Sequence, residues 1–332
     1  MSSKVRRLRL PQHQDVTNHD INMYDIIGDI HGHADELIEL LTNMGYSKQS
    51  DCFRHPTRRV IFCGDFVDRG PNIPDVVHIA RSMVEGGTAL AVMGNHEFNA
   101  LAYHTPDPAA PNQFLRPHSK KNEHQHLQTL RQFSDEDLAT ALAWFRTLPP
   151  ALDLGTLRVV HACWDAAGIE TINTAVRRDG GFTAAFLKHA TTPDDPLFEA
   201  VECVMKGPEL TLPDGVTVTD KEGNMRRRIR IRWFDEPTDE TWASYSLPAK
   251  PHLSDEPIPA NAPAVPYAAR ESPVFFGHYW LPHATPAPLK PNIACLDYSV
   301  AKRGFLCAYR FDGEQSLTAD HFVTVPAKEA QP

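Results

Sequence analysis

Residues 60–70 read VIFCGDFVDRG, a short apolar run that ends in a glycine and an aspartate. Residues 23–32, MYDIIGDIHG, repeat this arrangement, and residues 88–97, TALAVMGNHE, repeat it with an asparagine in place of the aspartate. Between the three runs, residues 34–44 and 73–85 carry apolar side chains at helical spacing. The alternation predicts consecutive βαβ units with parallel strands, and therefore an α/β fold.

The polar ends of these runs are expected to meet at one edge of a sheet. Asp29, Asp65 and Asn95 follow one another at steps of 36 and 30 residues, about the length of a βαβ unit. Parallel strands end on the same side, where open α/β sheets bind ligands. Two later histidines are placed similarly, since His161 and His278 each end a strand-like run.

The residue types at this edge favour a transition metal. Carboxylates, an amide oxygen and imidazoles together suit Mn, Fe or Zn better than Ca or Mg. One aspartate can bridge two ions about 3.5–4 Å apart, the arrangement that polarises a phosphoryl group and supplies a hydroxide nucleophile. Any one of these residues alone is more often part of an ordinary turn, so the prediction depends on their occurring together in order.

Composition excludes several other classes of protein. The chain has 332 residues, 42% hydrophobic and 23% charged, which is typical of a folded protein rather than a disordered one. Its net charge of −9 argues against general binding to nucleic acid or membranes, and no apolar run is long enough to span a bilayer. No secretion signal is recognisable, and the six cysteines form no CxxC pair. We therefore expect reduced thiols and a cytoplasmic location.

The second half of the chain is less regular. We expect helical structure in 125–148 and within 184–204, and strands at 158–161, 274–276, 293–296 and 304–311. Residues 216–233 predict a β-hairpin around Glu222-Gly223-Asn224. The predicted organisation is a flexible tail at 1–20, one domain at 21–325 with a Pro-rich insertion at about 170–272, and a flexible tail at 326–332.

GDIHG, GDFVDRG and GNHE, followed by His161 and by Gly277-His278, resemble the motifs of the calcineurin-like metallophosphoesterases. The resemblance is closest to the branch of the Ser/Thr protein phosphatases and the symmetrical dinucleoside tetraphosphate hydrolases. It covers residues 24–100 and short stretches at 157–165 and 274–280. It implies an α/β fold of two facing mixed β-sheets flanked by helices, with the Pro-rich insertion outside the shared core.

The resemblance also implies a role for each motif residue. Two divalent metal ions are expected, Mn foremost, with Fe or Zn as alternatives. Asp29 and His31 would bind the first ion, Asp65 would bridge, and Asn95, His161 and His278 would bind the second. His96 and Asp68 would form the acid pair, and Arg69 would hold the phosphate.

Three further groups have two readings each. Lys206 either replaces the second phosphate-binding arginine of that branch or is a surface charge. The arginines at 226, 227, 228, 230 and 232 either attract an anionic substrate or form a charged solvent face, and we expect the latter. His118, His124 and His126 lie among polar residues, which predicts a solvated loop or helix start rather than a metal site.

The expected activity is hydrolysis of phosphomonoesters by in-line attack of metal-bound hydroxide, with phosphoserine and phosphothreonine proteins as candidate substrates. The alternative substrate is a dinucleoside tetraphosphate. A second alternative is a catalytically silent scaffold of the same fold. The partner is thus a phosphoprotein or a nucleotide, with no membrane and no stable nucleic-acid binding expected.

Overall fold

A computed structural model describes residues 23–219, 223, 225–282 and 285–328. The tail expected at 1–20 lies outside the described residues. At the other end, the last strand runs to Pro326, and the backbone N–H of Lys328 donates to Glu36 Oε1 at 2.8 Å. The first residues of the tail expected at 326–332 therefore contact the domain, and residues 329–332 lie outside the described residues.

The first sheet contains the parallel strands expected from the motifs. Its strands are β1 (Tyr24–Ile27), β4 (Arg59–Phe62), β5 (Ala89–Ala91), β16 (Asp297–Tyr298), β17 (Phe305–Phe311) and β18 (Phe322–Pro326). β1, β4 and β5 are parallel neighbours, and β17 pairs antiparallel with β1, β16 and β18. The sheet is mixed because the closing strands return in the opposite direction.

The second sheet carries the two later histidines. Its strands are β8 (Ala151–Asp153), β9 (Arg158–Val160), β14 (Val274–Phe276) and β15 (Ile293–Cys295). β14 is parallel to β9 and β15, whereas β8 is antiparallel to β9. His161 and His278 follow β9 and β14, so the parallel pairing places both at the same end of this sheet.

The two sheets face each other across one apolar core. The Phe275 ring of β14 lies 5.1 Å from the Tyr309 ring and 6.0 Å from the Phe311 ring, both on β17. All three side chains are fully buried. This packing gives the predicted architecture, an α/β fold with two facing mixed sheets.

Helices surround the sheets. The helices expected at 34–44 and 73–85 lie where the sequence indicates, whereas the stretch 125–148 is divided between two helices. The helices are α1 (Ala34–Asn43), α2 (Ile73–Glu85), α3 (Asn95–Tyr103), α4 (Lys120–Gln132), α5 (Asp135–Phe145), α6 (Ala166–Asp179), α7 (Ala184–Ala190), α8 (Pro196–Lys206) and α9 (Trp242–Tyr245). In α1, Leu37, Leu40 and Leu41 are buried on one face, as their spacing predicts. Ser134 separates α4 from α5 and caps the latter by accepting from the Asp137 N–H.

The insertion contributes to two apolar clusters. The helices α6, α7 and α8 bury side chains such as Ile172, Phe186 and Val201 in the main core. A smaller cluster forms separately between 210 and 262, around Ile231, Trp242 and Tyr245. The segment is thus partly joined to the sheets and partly packed on itself.

The hairpin expected at 216–233 forms only in part. β11 (Val218–Thr219) pairs with β12 (Met225–Arg226), but β13 (Arg228–Arg230) pairs with β10 (Glu209–Thr211) instead. The chain changes partner at Arg227, whose carbonyl accepts the Leu212 N–H. An alternating pattern identifies strands but not the strand that each one pairs with.

Other small features complete the fold. Two further two-stranded sheets are formed by β2 (Ser47–Gln49) with β3 (Cys52–Arg54) and by β6 (Pro106–Asp107) with β7 (Ala110–Phe114). All six cysteines are free. Among the described residues, the helices are all too short or too polar to cross a bilayer.

Candidate metal centre and active site

The loops that follow five strands converge at one end of the two sheets. They carry Asp29 after β1, Asp65 after β4, Asn95 after β5, His161 after β9 and His278 after β14. The side chain of each of these five residues is buried. The structure therefore brings together residues that are up to 249 positions apart in the chain.

Two glycines permit this close approach. A Cβ on Gly277 would lie 1.8 Å from Asp29 Oδ1, and one on Gly94 would lie 2.2 Å from Asp65 Oδ1. Only glycine fits between the backbone and a carboxylate at such distances. The glycine before each polar residue in the motifs is thus a steric requirement of the site.

The site also holds several non-glycine residues in the left-handed backbone region. They are His31 (φ 46°), Asp65 (φ 55°), Asp68 (φ 66°), Arg69 (φ 72°), His278 (φ 70°) and Trp280 (φ 51°). This conformation is costly for L-residues and persists where the surroundings hold it, most often at functional sites. Because six residues of the site share this conformation, the loops hold these side chains in place at the cost of local backbone strain.

Two groups of potential ligand atoms share Asp65. One consists of His31, Asp65 and His96, the other of Asp65, His161 and His278, and within each group the ligand atoms lie within 4.8 Å of one another. His31 Nε2 is 3.5 Å from Asp65 Oδ2, and His161 Nε2 is 3.4 Å from Asp65 Oδ1. The two oxygens of Asp65 therefore face different histidines, which is the placement expected of a bridging ligand.

Three of the predicted ligands offer buried atoms without a hydrogen-bond partner. These atoms are Asp29 Oδ1, His31 Nε2 and His278 Nε2. Buried polar atoms are normally paired, so such a cluster calls for a bound group. A divalent cation among carboxylate oxygens and imidazole nitrogens fits this donor set.

Backbone carbonyls fix the orientation of two of the imidazoles. His31 Nδ1 donates to the Val67 carbonyl at 2.9 Å, and His161 Nδ1 donates to the Cys63 carbonyl at 2.8 Å. Each bond leaves Nε2 directed into the site, as is usual for metal-binding histidines. Asn95 Oδ1 lies 3.0 Å from His161 Nε2, so the amide oxygen faces the same point.

The electrostatics of the centre favour a cation. Burial is the main cause that raises the pKa of Asp29, and the negative charge of the nearby Asp297 adds to it. Burial is also the main cause that lowers the pKa of His278, and the positive charge of Arg230 adds to it. Burial opposes protonation of His161, but the Asp65 charge outweighs it and raises the pKa to about 10. A metal ion would displace that proton, and the neutral His278 would be ready to bind.

Glu97 is a structural residue that we did not assign from the sequence. Its carboxylate accepts backbone N–H groups from Asp65 at 2.8 Å, Phe66 at 2.8 Å and Gly94 at 3.0 Å. Burial, followed by the Asp65 charge, raises its pKa to about 7. Glu97 thereby joins the loop after β4 to the loop after β5, and its place in the GNHE motif was the available signal.

His96 and Asp68, the residues expected to form an acid pair, are in hydrogen-bond contact. His96 Nδ1 lies 2.5 Å from Asp68 Oδ2, and both side chains are buried. The Arg69 guanidinium lies over the Trp280 ring at 4.1 Å, and one of its nitrogens is 3.3 Å from His96 Nε2. Trp280 thus supports the arginine by a cation–π contact.

Lys206 and Arg230 both line the cavity in front of this centre. Lys206 ends α8 and pairs with Glu202, one turn earlier on the same helix. Arg230 donates to the carbonyl oxygen of His278 at 2.6 Å, beside the candidate metal ligands. Arg230 is therefore held beside a candidate metal ligand, whereas Lys206 is paired within its own helix.

Two other expectations about charged residues hold only in part, since Arg227, His118 and His124 are exposed as expected. Arg226, Arg228 and Arg230 line the cavity, which has a volume of about 480 Å³, instead of forming only a solvent face. His126 is buried in the middle of α4 and lies 2.8 Å from Asp68 Oδ1, so it is not part of a solvated loop. These arginines and His126 lie outside the sequence motifs, so only the tertiary structure places them at the site.

Comparison with known proteins agrees with this geometry. The family model for calcineurin-like phosphoesterases matches residues 24–199, more than half of the chain. The chain belongs to the calcineurin-like phosphoesterase family. The matched stretch includes four of the five converging loops, those with Asp29, Asp65, Asn95 and His161, and the loop with His278 lies beyond it.

Relatives with established names match over shorter stretches. The asymmetrical bis(5'-nucleosyl)-tetraphosphatase of Halalkalibacterium halodurans is 45% identical over 74 residues, 22% of this chain and 30% of that protein. The symmetrical bis(5'-nucleosyl)-tetraphosphatase of Hamiltonella defensa is 32% identical over 124 residues, 37% of each chain. A solved protein serine/threonine phosphatase from Saccharomyces cerevisiae superposes with a TM-score of 0.47 at 12% identity, over 93% of this chain and 81% of that one. The chain thus spans about a third of the tetraphosphatases that it matches.

Proposed function

We propose that this calcineurin-like phosphoesterase hydrolyses phosphate esters with two divalent metal ions bound by Asp29, His31, Asp65, Asn95, His161 and His278. The observation that carries the proposal is the set of unpartnered buried atoms, Asp29 Oδ1, His31 Nε2 and His278 Nε2, around a carboxylate common to two ligand groups. Two ions in such a site polarise the phosphoryl group and supply the nucleophile. Manganese is the expected metal, with iron or zinc as alternatives.

The surrounding side chains would bind and protonate the substrate. The Arg69 guanidinium can hold two phosphate oxygens at once, and its stacking on Trp280 limits its rotation. His96, fixed through Nδ1 by Asp68, would present a proton at Nε2 to the departing oxygen. An Arg69 nitrogen lies 3.3 Å from that Nε2, so the proposed phosphate-binding group and the proposed acid are adjacent.

The acid pair favours phosphomonoesters of alcohols. An alkoxide leaving group needs a proton in the transition state, which is the task of a positioned imidazole. Phosphoserine and phosphothreonine side chains belong to this class. A phosphomonoester is therefore the first candidate substrate.

The cavity favours a second candidate, a dinucleoside tetraphosphate. Beyond the metal-binding loops it is lined by the cationic residues Arg116, Lys121, Lys206, Arg226, Arg228 and Lys250. Among the described residues of this wall, two carboxylates oppose them, Glu202 beside Lys206 and Glu209 3.4 Å from Arg228. A positively charged wall would attract the additional phosphates of an extended polyanion. The names of the matching relatives, both tetraphosphatases, point the same way.

A direct comparison of substrates tests these candidates. The Mn²⁺-loaded chain would be assayed with a phosphoserine peptide panel, 4-nitrophenyl phosphate and diadenosine tetraphosphate under identical conditions. A kcat/KM that is highest for the peptides supports the first candidate, and one that is highest for the tetraphosphate supports the second. Absence of turnover on all three would overturn the enzymatic proposal and favour the scaffold alternative.

A further inference from the structure

Asp68, the carboxylate of the acid pair, is held from two sides. Its Oδ2 contacts His96 Nδ1, whereas its Oδ1 lies 2.8 Å from His126 Nδ1 and 2.6 Å from Thr129 Oγ1. Its backbone N–H donates to Thr129 Oγ1 at 3.0 Å. His126 and Thr129 are both on α4, outside every motif of the family, and both are buried. A helix remote in sequence therefore determines how the carboxylate of the motif is oriented.

α4 contacts the whole loop that carries Asp68 and Arg69. His126, Thr129 and Gln132 follow each other at intervals of three, so they lie on one face of the helix. Gln132 donates from Nε2 to the Gly70 carbonyl at 2.8 Å and accepts the Ile73 N–H at 2.8 Å. These contacts help to retain the left-handed conformation of Asp68 and Arg69, which is unfavourable in isolation.

The hydrogen-bond pattern defines the protons on His126. Burial alone would raise the pKa of Asp68, but the hydrogen bonds from His126 and His96 lower it, so the carboxylate is ionised and can only accept. His126 Nδ1 is therefore the donor. Its Nε2 lies 3.1 Å from His104 Nε2, which places a second contact on the other ring nitrogen. A ring engaged at both nitrogens is restrained from rotating.

We propose that His126 is a positioning residue of the active site, which acts by occupying Asp68 Oδ1. With that oxygen engaged, Oδ2 is directed to His96 Nδ1, and the His96 ring is turned so that Nε2 faces the substrate. The inference rests on the proposed hydrolysis of phosphate esters, because it assigns His126 to the protonation of their leaving groups.

A pair of substitutions separates this role from simple packing. His126→Leu fills the space but removes the donor, whereas in His126→Asn the side-chain amide can place an N–H close to the position of Nδ1. Each Mn²⁺-loaded variant would be assayed on a phosphoserine peptide, whose alkoxide needs a proton, and on 4-nitrophenyl phosphate, whose phenolate hardly does. His124→Leu, at an exposed position of the same helix, is the matched control, and His96→Asn is the positive control.

We expect His126→Leu to lower kcat on the peptide by about 10- to 100-fold, with KM little changed, since small displacements of a catalytic group cost up to that much. The loss on 4-nitrophenyl phosphate should be clearly smaller. His126→Asn should recover most of the activity, and His124→Leu should equal the wild type. His96→Asn should show the same dependence on the leaving group, but more strongly.

The inference is wrong if His126→Leu lowers kcat equally on both substrates or leaves kcat unchanged. It is also wrong if kcat of His126→Asn is as low as that of His126→Leu. If His126→Leu fails to fold, Thr129→Val repeats the test, because it removes the other donor to Asp68 Oδ1 with little change in shape. Its kcat must also fall more on the peptide than on 4-nitrophenyl phosphate. A wild type that hydrolyses neither these two substrates nor diadenosine tetraphosphate would overturn the proposed function and this inference together. A wild type that is active on the tetraphosphate alone would overturn the inference and leave the proposed function standing. An active wild type with unaffected His126 variants would overturn the inference alone.

Discussion

Asp65 is the residue on which both halves of the centre depend. Its carboxylate belongs to both ligand groups, and its Oδ1 also accepts the His96 N–H at the start of α3 at 3.0 Å. Burial would raise its pKa, but the charges of His161, His96 and His31 lower it, so the group is ionised. An anion at this position is what two cations would share.

The substitution Asp65→Asn should therefore lower turnover by roughly 100-fold or more, because a neutral amide weakens both ions at once. The measurement is kcat with Mn²⁺ together with the metal content of the purified variant. Lys206→Ala is the comparison, since Lys206 already pairs with Glu202 and should cost far less. Turnover near the wild-type value with full metal occupancy in Asp65→Asn would contradict the bridging role.

The sequence predicts the site residues that lie in motifs and does not predict the site residues that lie outside them. Asp29, Asp65 and Asn95 could be placed together because each follows a strand of a parallel sheet. His126 and Arg230 could not be placed, because nothing local distinguishes a histidine in a polar helix, or one arginine among five, from a surface residue. Their roles arise from contacts with the loops after β4 and β14.

Among the elements, β13 links the insertion to the centre. Arg230 at its end contacts the His278 carbonyl, whereas the preceding Arg227 turns outward and pairs with Asp214 at 2.7 Å. The pairing of β13 with β10 sets this direction, because alternate side chains of a strand point to opposite faces. The strand therefore directs Arg228 and Arg230 to the cavity, with Arg230 in contact with the loop that carries His278.

We expect Arg230→Gln to raise KM for a phosphate substrate by about tenfold or more, the magnitude of one charge-assisted hydrogen bond. Arg227→Gln, three positions earlier and outside the cavity, should leave KM unchanged. Both variants would be compared by steady-state kinetics, with metal analysis to exclude loss of the ion at His278. An unchanged KM in Arg230→Gln with both ions bound would show that Arg230 does not contact the phosphate.

The periodicity of apolar residues predicted those helices that pack on a neighbouring element of the chain. The spacing of apolar residues predicted α1 and α2 nearly to their ends, since each buries one face on the adjacent sheet. It did not predict that β13 leaves the hairpin for β10, because strand pairing depends on partners distant in sequence. The same limit applies to the smaller core at 210–262.

In the whole molecule, the two sheets act as one support for the five loops. Phe275 packs against Tyr309 and Phe311 across the sheets, so the loop with His278 is fixed relative to the loop with Asp29. The His278 N–H donates to Asp29 Oδ2 at 3.0 Å, which joins the two sheets directly at the centre. The family resemblance implied the facing sheets, whereas periodicity alone indicated only an α/β chain.

The central claim, hydrolysis that requires two bound ions, is tested most directly by titrating the metal-stripped chain with Mn²⁺. Bound metal per chain and release of phosphate from 4-nitrophenyl phosphate would be measured on the same samples. We predict no release before metal is added, and full activity only as binding approaches two ions per chain. A chain that binds two ions and releases no phosphate from any phosphate ester, or one that is fully active in chelator, would contradict the account.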